Sequence, residues 1–281
     1  MPHLKLPDGV SLYYEIDGNA DVESSKPWMV LSHGYGSDTT SFRELMPFLI
    51  PHFRILRWDH RGHGRSDKPK GTSHEENLKL YTMHQLALDL KNLLDGLNIT
   101  PDQRIILYGH SMGGMVAQQF AVIYPNYLYA LILGSTAPQN NNAPMHDMVR
   151  RYKTGETPLT EETFRMNAKV GYSRKYLKEH PDIIEESVRR KMAVGPDILL
   201  ALIDNFVYNY NVEAQLPKLK VPTLILVGDR DGTIYFGQSK RIHELIPNSH
   251  IIIYPNMSHA INAEIPEQLV HDILNFLNSI M

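Results

Sequence analysis

Short apolar runs alternate along this chain with longer stretches in which apolar residues recur every three or four positions. The runs cover residues 28–32, 53–58, 104–108, 128–133, 221–228 and 251–254. Their lengths and bounding turn residues suit strands buried on both faces. Two earlier runs, 4–6 and 11–16, flank Asp8-Gly9 and read as strands joined by a turn. A polar loop is expected over 18–27. The periodic stretches cover 41–50, 82–97, 112–124, 235–245 and 266–280. In 82–97 the apolar positions are Met83, Leu86, Leu90, Leu93, Leu94 and Leu97, one face of a helix. The alternation predicts an α/β fold: a mostly parallel eight-stranded sheet with helices on both faces. In such sheets the chemistry gathers at the carboxyl ends of the strands.

The rhythm breaks over residues 137–215. This stretch opens on the polar tract Pro138-Gln139-Asn140-Asn141-Asn142-Ala143-Pro144 and then gives helix-like segments near 145–153, 161–170, 183–192 and 198–210. The alternation resumes at 221. The expected organisation is therefore a core of 1–136 and 216–281, with 137–215 as a helical lid inserted over the strand ends. The lid carries Met145, Met148, Tyr152, Phe164, Met166, Tyr172, Tyr176, Phe206 and Tyr208. Some of these should face a pocket, although helix packing is the better reading for any single one.

Composition narrows the function classes. The chain has 281 residues and a net charge of -3, which leaves no basic footprint for nucleic acid or an anionic membrane. It has no cysteine, which removes disulfides, thiolate metal sites and a Cys nucleophile. Covalent chemistry would fall to Ser, Asp or His. No basic segment followed by an apolar run opens the chain, and no run approaches bilayer length. The expectation is a cytoplasmic protein that acts without a membrane. Association into a homo-oligomer stays open.

The candidate chemistry starts at Gly109-His110-Ser111-Met112-Gly113, a G-x-S-x-G pentapeptide between a strand and a helix. A serine at that turn presents its hydroxyl above the sheet edge, and the glycines fit because a Cβ at either position would clash. The helix start adds N–H groups and a positive dipole end, which favour an oxyanion. A serine hydroxyl also needs a base, and the base an orienting carboxylate. The run 224–228 leads into Asp229-Arg230-Asp231-Gly232, and 251–254 leads into Pro255-Asn256-Met257-Ser258-His259. Both follow strands, which puts a carboxylate and His259 on the same edge as Ser111. The Met112 N–H, just after the serine, is one expected oxyanion donor.

Five motifs in this order resemble the α/β-hydrolase superfamily over nearly the whole chain outside the lid. His33-Gly34 resembles the family's oxyanion motif, and Asp59-x-Arg61-Gly62-x-Gly64-x-Ser66 its next loop. Gly109-x-Ser111-x-Gly113 matches the nucleophile elbow, and Gly228-x-x-Asp231 the acid turn. His259 with Glu264 and Pro266 resembles the histidine loop. The opening Asp8-Gly9-Val10-Ser11-Leu12-Tyr13-Tyr14-Glu15 and the elbow look most like 3-oxoadipate enol-lactonases, small esterases and cofactor-free haloperoxidase-like enzymes. Gly232 departs from that branch, which often has proline there.

The resemblance implies a triad of Ser111, Asp231 and His259. The family spacing favours Asp231 over Asp229, which becomes a turn residue. It implies Tyr35 N–H as the second oxyanion donor beside Met112 N–H. His33, His60, His63, His110 and Asp59 are then structural, and the histidines make no convincing metal set. The implied reaction is hydrolysis of a small-molecule carboxylic ester or lactone through an acyl-enzyme, with no cofactor and no metal. The same triad also serves C–C bond hydrolysis and perhydrolysis, and a ligand receptor on this fold is the alternative of another class.

Overall fold

A computed structural model of the protein describes residues 2–18, 26–140 and 143–280. Most of the polar loop expected over 18–27, and Asn141-Asn142 of the polar tract, lie outside the described residues. The strands are β1 (His3–Lys5), β2 (Ser11–Asp17), β3 (Trp28–Ser32), β4 (Arg54–Trp58), β5 (Ile105–His110), β6 (Leu128–Gly134), β7 (Thr223–Gly228) and β8 (Ser249–Tyr254). They form one eight-stranded sheet in the order β1-β2-β4-β3-β5-β6-β7-β8. The pairs β1–β2 and β2–β4 are antiparallel. All the others are parallel.

Strand alternation splits the core in two. Trp28 and Val30 of β3 face a cluster with Leu86, Leu90, Met115 and Phe120, from α3 (Met83–Gly96) and α4 (Met112–Ile123). Met29 and Leu31, offset by one residue, face Leu49 of α1 (Met46–Leu49) and Leu269, Ile273 and Phe276 of α12 (Pro266–Ser279). Every residue of β3 and β7 is buried, which accounts for their unbroken apolar runs.

The helix expected over 41–50 is interrupted. A 3-10 turn at Thr39–Phe42 is followed by the short α1, which carries Pro47 in its first turn. Proline has no N–H to donate, and its ring clashes with the preceding turn, so it starts a helix better than it continues one. The structure adds α2 (His74–Leu80), capped by Ser73, which accepts from Glu76 N–H.

Between β6 and β7 lie α5 (Ala143–Thr154), α6 (Glu161–Val170), α7 (Arg174–Glu179), α8 (Ile183–Val194) and α9 (Pro196–Asp204). No strand occurs among the described residues of this segment. The helix expected over 198–210 stops at Asp204 and continues as a π-type turn over Asn205–Asn209. After β7 come α10 (Gly237–Leu245) and, beyond β8, α11 (Ile261–Glu264). No helix among the described residues is long and apolar enough to cross a membrane.

Candidate active site

Ser111, Asp231 and His259 follow the carboxyl ends of β5, β7 and β8, which run parallel, so all three lie along one edge of the sheet. Ser111 is the residue before α4 and holds φ 57°, ψ -123°. That is a strained conformation for a residue with a Cβ. Neighbours hold it there: its N–H donates to the Gly134 carbonyl at 2.9 Å, and its own carbonyl accepts from Thr136 Oγ1 at 2.8 Å. A Cβ at Gly109 would collide with the backbone of Gly113, and one at Gly113 with the carbonyls of Ser32 and His33. The flanking glycines are thus required by close approach to neighbouring backbone.

His259 Nδ1 donates to Asp231 Oδ2 at 2.7 Å, and the Asp231 side chain is fully buried. A carboxylate has only lone pairs to offer, so this bond fixes the proton on Nδ1 and leaves Nε2 as the basic nitrogen of the neutral ring. The other oxygen, Oδ1, accepts the N–H groups of Thr233 at 2.9 Å and Ile234 at 2.8 Å. Asp229 does something else: its Oδ1 accepts the Asn256 N–H at 2.7 Å, pinning the turn after β8. Of the two aspartates, only Asp231 bonds His259.

His110 Nε2 donates to the His259 carbonyl at 3.0 Å, and the rings lie 4.9 Å apart. Burial, with the neighbouring His259 second, pushes the His110 imidazole down to about 3. It is therefore a neutral brace behind His259.

Met112 and Tyr35 line the same cavity as Ser111 and His259. Met112 is the first residue of α4, where backbone N–H groups have no helical partner. Among the described residues, neither the Met112 nor the Tyr35 N–H donates to another group. Gly34 brings the Tyr35 loop against the serine, since a Cβ there would lie 3.2 Å from Ser111 Cβ. The Tyr35 hydroxyl donates to the Leu199 carbonyl at 3.0 Å, tying this loop to α9.

The cavity has a volume of about 680 Å³. Of the nine Met, Tyr and Phe residues singled out between β6 and β7, all but Met166 and Tyr208 line it. The same seven also belong to or pack against the hydrophobic clusters, so they serve helix packing and the pocket wall together. Met166 and Tyr208 are exposed, at 65% and 45%.

Three buried rings, His33, His60 and His63, bring nitrogens within 4.8 Å of one another. All their nitrogens but His60 Nδ1 are engaged. His33 Nε2 accepts the His60 N–H, and His63 Nε2 accepts the Gly36 N–H. The Nδ1 atoms of His33 and His63 donate to the carbonyls of Gly34 and Arg61. A metal ligand needs a free lone pair, and two of the three rings have none left. The trio braces the loops after β3 and β4, and Asp59 does likewise, accepting the N–H groups of Thr39 and Arg65 at 2.8 Å each.

Two features carried no signal in the sequence. The turn between α6 and α7 is bonded to the histidine loop: Ala260 N–H donates to the Gly171 carbonyl at 2.9 Å, and Ser258 Oγ to the Val170 carbonyl at 3.2 Å. Glu264 Oε1 accepts the Ser173 N–H at 2.8 Å. The second feature is Lys191 of α8, a cation on the cavity wall.

Comparison with known proteins bears on the fold and the family. Residues 23–266 match the family model described as serine aminopeptidase, S33. A putative carbamate hydrolase, RutD, from Pseudomonas savastanoi pv. phaseolicola is 26% identical over 90% of this chain and 94% of its own length. The 3-oxoadipate enol-lactonase 2 of Acinetobacter baylyi is 25% identical over 94% of this chain and 92% of its own. The crystal structure of an enol-lactonase from Burkholderia xenovorans LB400 superposes with a TM-score of 0.85 at 24% identity, covering 99% of this chain and 100% of that one. The fold, the matched span and these likenesses agree with the resemblance carried by the five motifs. The chain belongs to the α/β-hydrolase superfamily, within the family described as serine aminopeptidase, S33.

Proposed function

We propose that the protein hydrolyses a small-molecule carboxylic ester or lactone through an acyl-enzyme on Ser111, His259 and Asp231. The observation that carries this reading is the 2.7 Å bond from His259 Nδ1 to buried Asp231, beside a strained Ser111 on the same cavity. His259 Nε2 takes the Ser111 proton as Oγ attacks the carbonyl carbon. Asp231 keeps the ring oriented and stabilises its charged form. The N–H groups of Met112 and Tyr35 stabilise the oxygen as it gains negative charge. Collapse expels the alcohol, which takes the proton from His259. Water then enters, gives a proton to His259 and frees the acid and the serine. In a lactone the alcohol remains attached to the acyl group. None of these steps requires a cofactor.

We assign residues 137–215 the role of a lid that chooses what reaches Ser111. The lining of the cavity by residues of α5, α6 and α8 supports this, as does the Tyr35–Leu199 bond to α9. The test is hydrolysis of 4-nitrophenyl esters across acyl lengths and of a lactone panel, with Ser111→Ala as control. The variant should lose at least about 10⁴-fold in kcat. Undiminished turnover by Ser111→Ala would sink the mechanism. Failure of the wild type on every ester and lactone would transfer the weight to C–C bond hydrolysis or to a ligand receptor.

A further inference from the structure

Among the described residues, the charged side chains on the cavity wall are matched, with one exception. Arg43 pairs with Glu44 at 3.0 Å and with Glu186 at 2.5 Å. Arg190 reaches Glu186 at 3.3 Å and Thr40 Oγ1 at 3.1 Å. Lys191 has no carboxylate within ion-pair distance among the described residues. Its Nζ donates instead to Ser187 Oγ at 3.0 Å, one turn earlier on α8. Ser187 is buried and also lines the cavity. Its oxygen is used as an acceptor, which leaves its own O–H to donate.

The surroundings oppose a charge on this lysine. Burial, with the Arg190 guanidinium as a second cause, pulls the ammonium down to about 8. Lys191 is half-buried, and a partly desolvated cation with no carboxylate beside it gains from an anion that enters the cavity. Its position is informative too. The Lys191 stem lies against Gly36, where a Cβ would meet Lys191 Cγ at 2.6 Å. Gly34, two residues back on the same loop, touches Ser111. Lys191 and the serine thus lie at two ends of one three-residue stretch that carries the proposed oxyanion donor Tyr35.

We propose that Lys191, with the Ser187 hydroxyl, binds a carboxylate at the end of the substrate away from the scissile bond. The inference rests on the ester or lactone reading of the site and names its substrate class: monoanionic esters or lactones. A carboxylate fits because one ammonium and one hydroxyl match a single negative charge. A phosphate dianion would bring a second charge, with no further unpaired cation on the wall among the described residues. Lys191 is then a specificity residue that does not touch the reacting atoms.

The experiment uses paired substrates that differ only in the terminal group. 4-Nitrophenyl pentanoate ends in a methyl, and the 4-nitrophenyl monoester of glutaric acid ends in a carboxylate. Succinic and adipic monoesters vary the reach. Wild type should favour the anionic member in kcat/KM, and Lys191→Met should cut that preference by about tenfold or more. Pentanoate hydrolysis should change by less than about threefold over the same substitution. Lys191→Arg should keep part of the preference. Equal losses on both substrates, or an unchanged ratio, would overturn the proposal. Pentanoate turnover tests the ester reading independently. If wild type cleaves neither ester, that reading fails, and calorimetric titration with glutarate still decides the anion site. Weaker glutarate binding to Lys191→Met supports it, and equal affinity overturns it.

Discussion

The carbonyl of Gly171, between α6 and α7, accepts the N–H of Ala260, the residue after His259, at 2.9 Å. With the Ser258 and Glu264 bonds, this makes the histidine loop and the α6–α7 turn one hydrogen-bonded unit. The acid turn joins it, since a Cβ at Gly232 would lie 2.8 Å from Val170 Cγ1. Ser258 and Glu264 should therefore position His259 without touching substrate. Ser258→Ala and Glu264→Ala are each expected to lower kcat by about tenfold while KM stays within about twofold. Glu264→Gln keeps an acceptor oxygen and should stay near wild type. Steady-state kinetics on one ester decides this, and a change in KM alone would count against positioning.

The two aspartates after β7 separate by partner. Asp231→Asn is expected to lower kcat by about 10³- to 10⁴-fold, because it disturbs the tautomer that presents Nε2 as base. Asp229→Asn weakens one bond to the Asn256 N–H and should cost only about 1 kcal/mol of stability, with kcat within about threefold. Kinetics and urea melts on both variants check the assignment. An active Asp231→Asn enzyme would refute it.

Gly113 has no room for a methyl group, because backbone carbonyls of Ser32 and His33 stand where the Cβ would go. Backbone in the central sheet cannot yield as a flexible side chain can. Gly113→Ala should destabilise the fold by more than about 3 kcal/mol or prevent soluble expression. Denaturant unfolding of whatever protein is recovered provides the measurement.

Acid should unfold the protein through its histidines. Burial holds His33, His60, His63 and His110 below their ordinary value of 6.5. The folded state therefore keeps these rings neutral where the unfolded chain would protonate them. The unfolded state binds more protons, so stability rises with pH in this window. The contribution is complete above about pH 6.5 and is lost progressively as pH falls below it, to about 3 for His110. Each such histidine contributes up to about 1.4 kcal/mol per pH unit across its window. Urea midpoints at pH 8, 6.5 and 5 should be nearly level over the first step and fall over the second. A flat profile down to pH 5 would contradict this account.

The strands β3 to β8 were legible in the sequence as short apolar runs bounded by turn residues, and the antiparallel, partly exposed β1 and β2 were marked by the Asp8-Gly9 turn between them. His259 and the acid turn were legible because each directly follows such a run. Choosing Asp231 over Asp229 took the family spacing, since both residues sit in the same four-residue turn. Helix α2 lacks an apolar stripe, and its only mark is the capping pair Ser73 and Glu76. Helix α7 has six residues, too few for a period to show. The break near residue 45 was written in Pro47, which a periodicity count passes over. Lys191 was invisible for another reason. On an amphipathic helix a lysine reads as solvent-facing, and only the packing of α8 over the strand ends turns that side toward the cavity.

Ser111 holds φ 57°, ψ -123°, a shape that glycine adopts with far less strain. Relief of that strain, on the order of 1–3 kcal/mol, exceeds the roughly 0.5–1 kcal/mol that glycine's freer unfolded chain costs. Selection for durability alone would therefore remove the serine, and the nucleophilic role proposed for it supplies a reason to keep it. Ser111→Gly should melt higher than wild type, while Ser111→Ala, which keeps the Cβ, should not share that gain. The residue proposed as nucleophile is also one at which the fold has ceded ruggedness to chemistry.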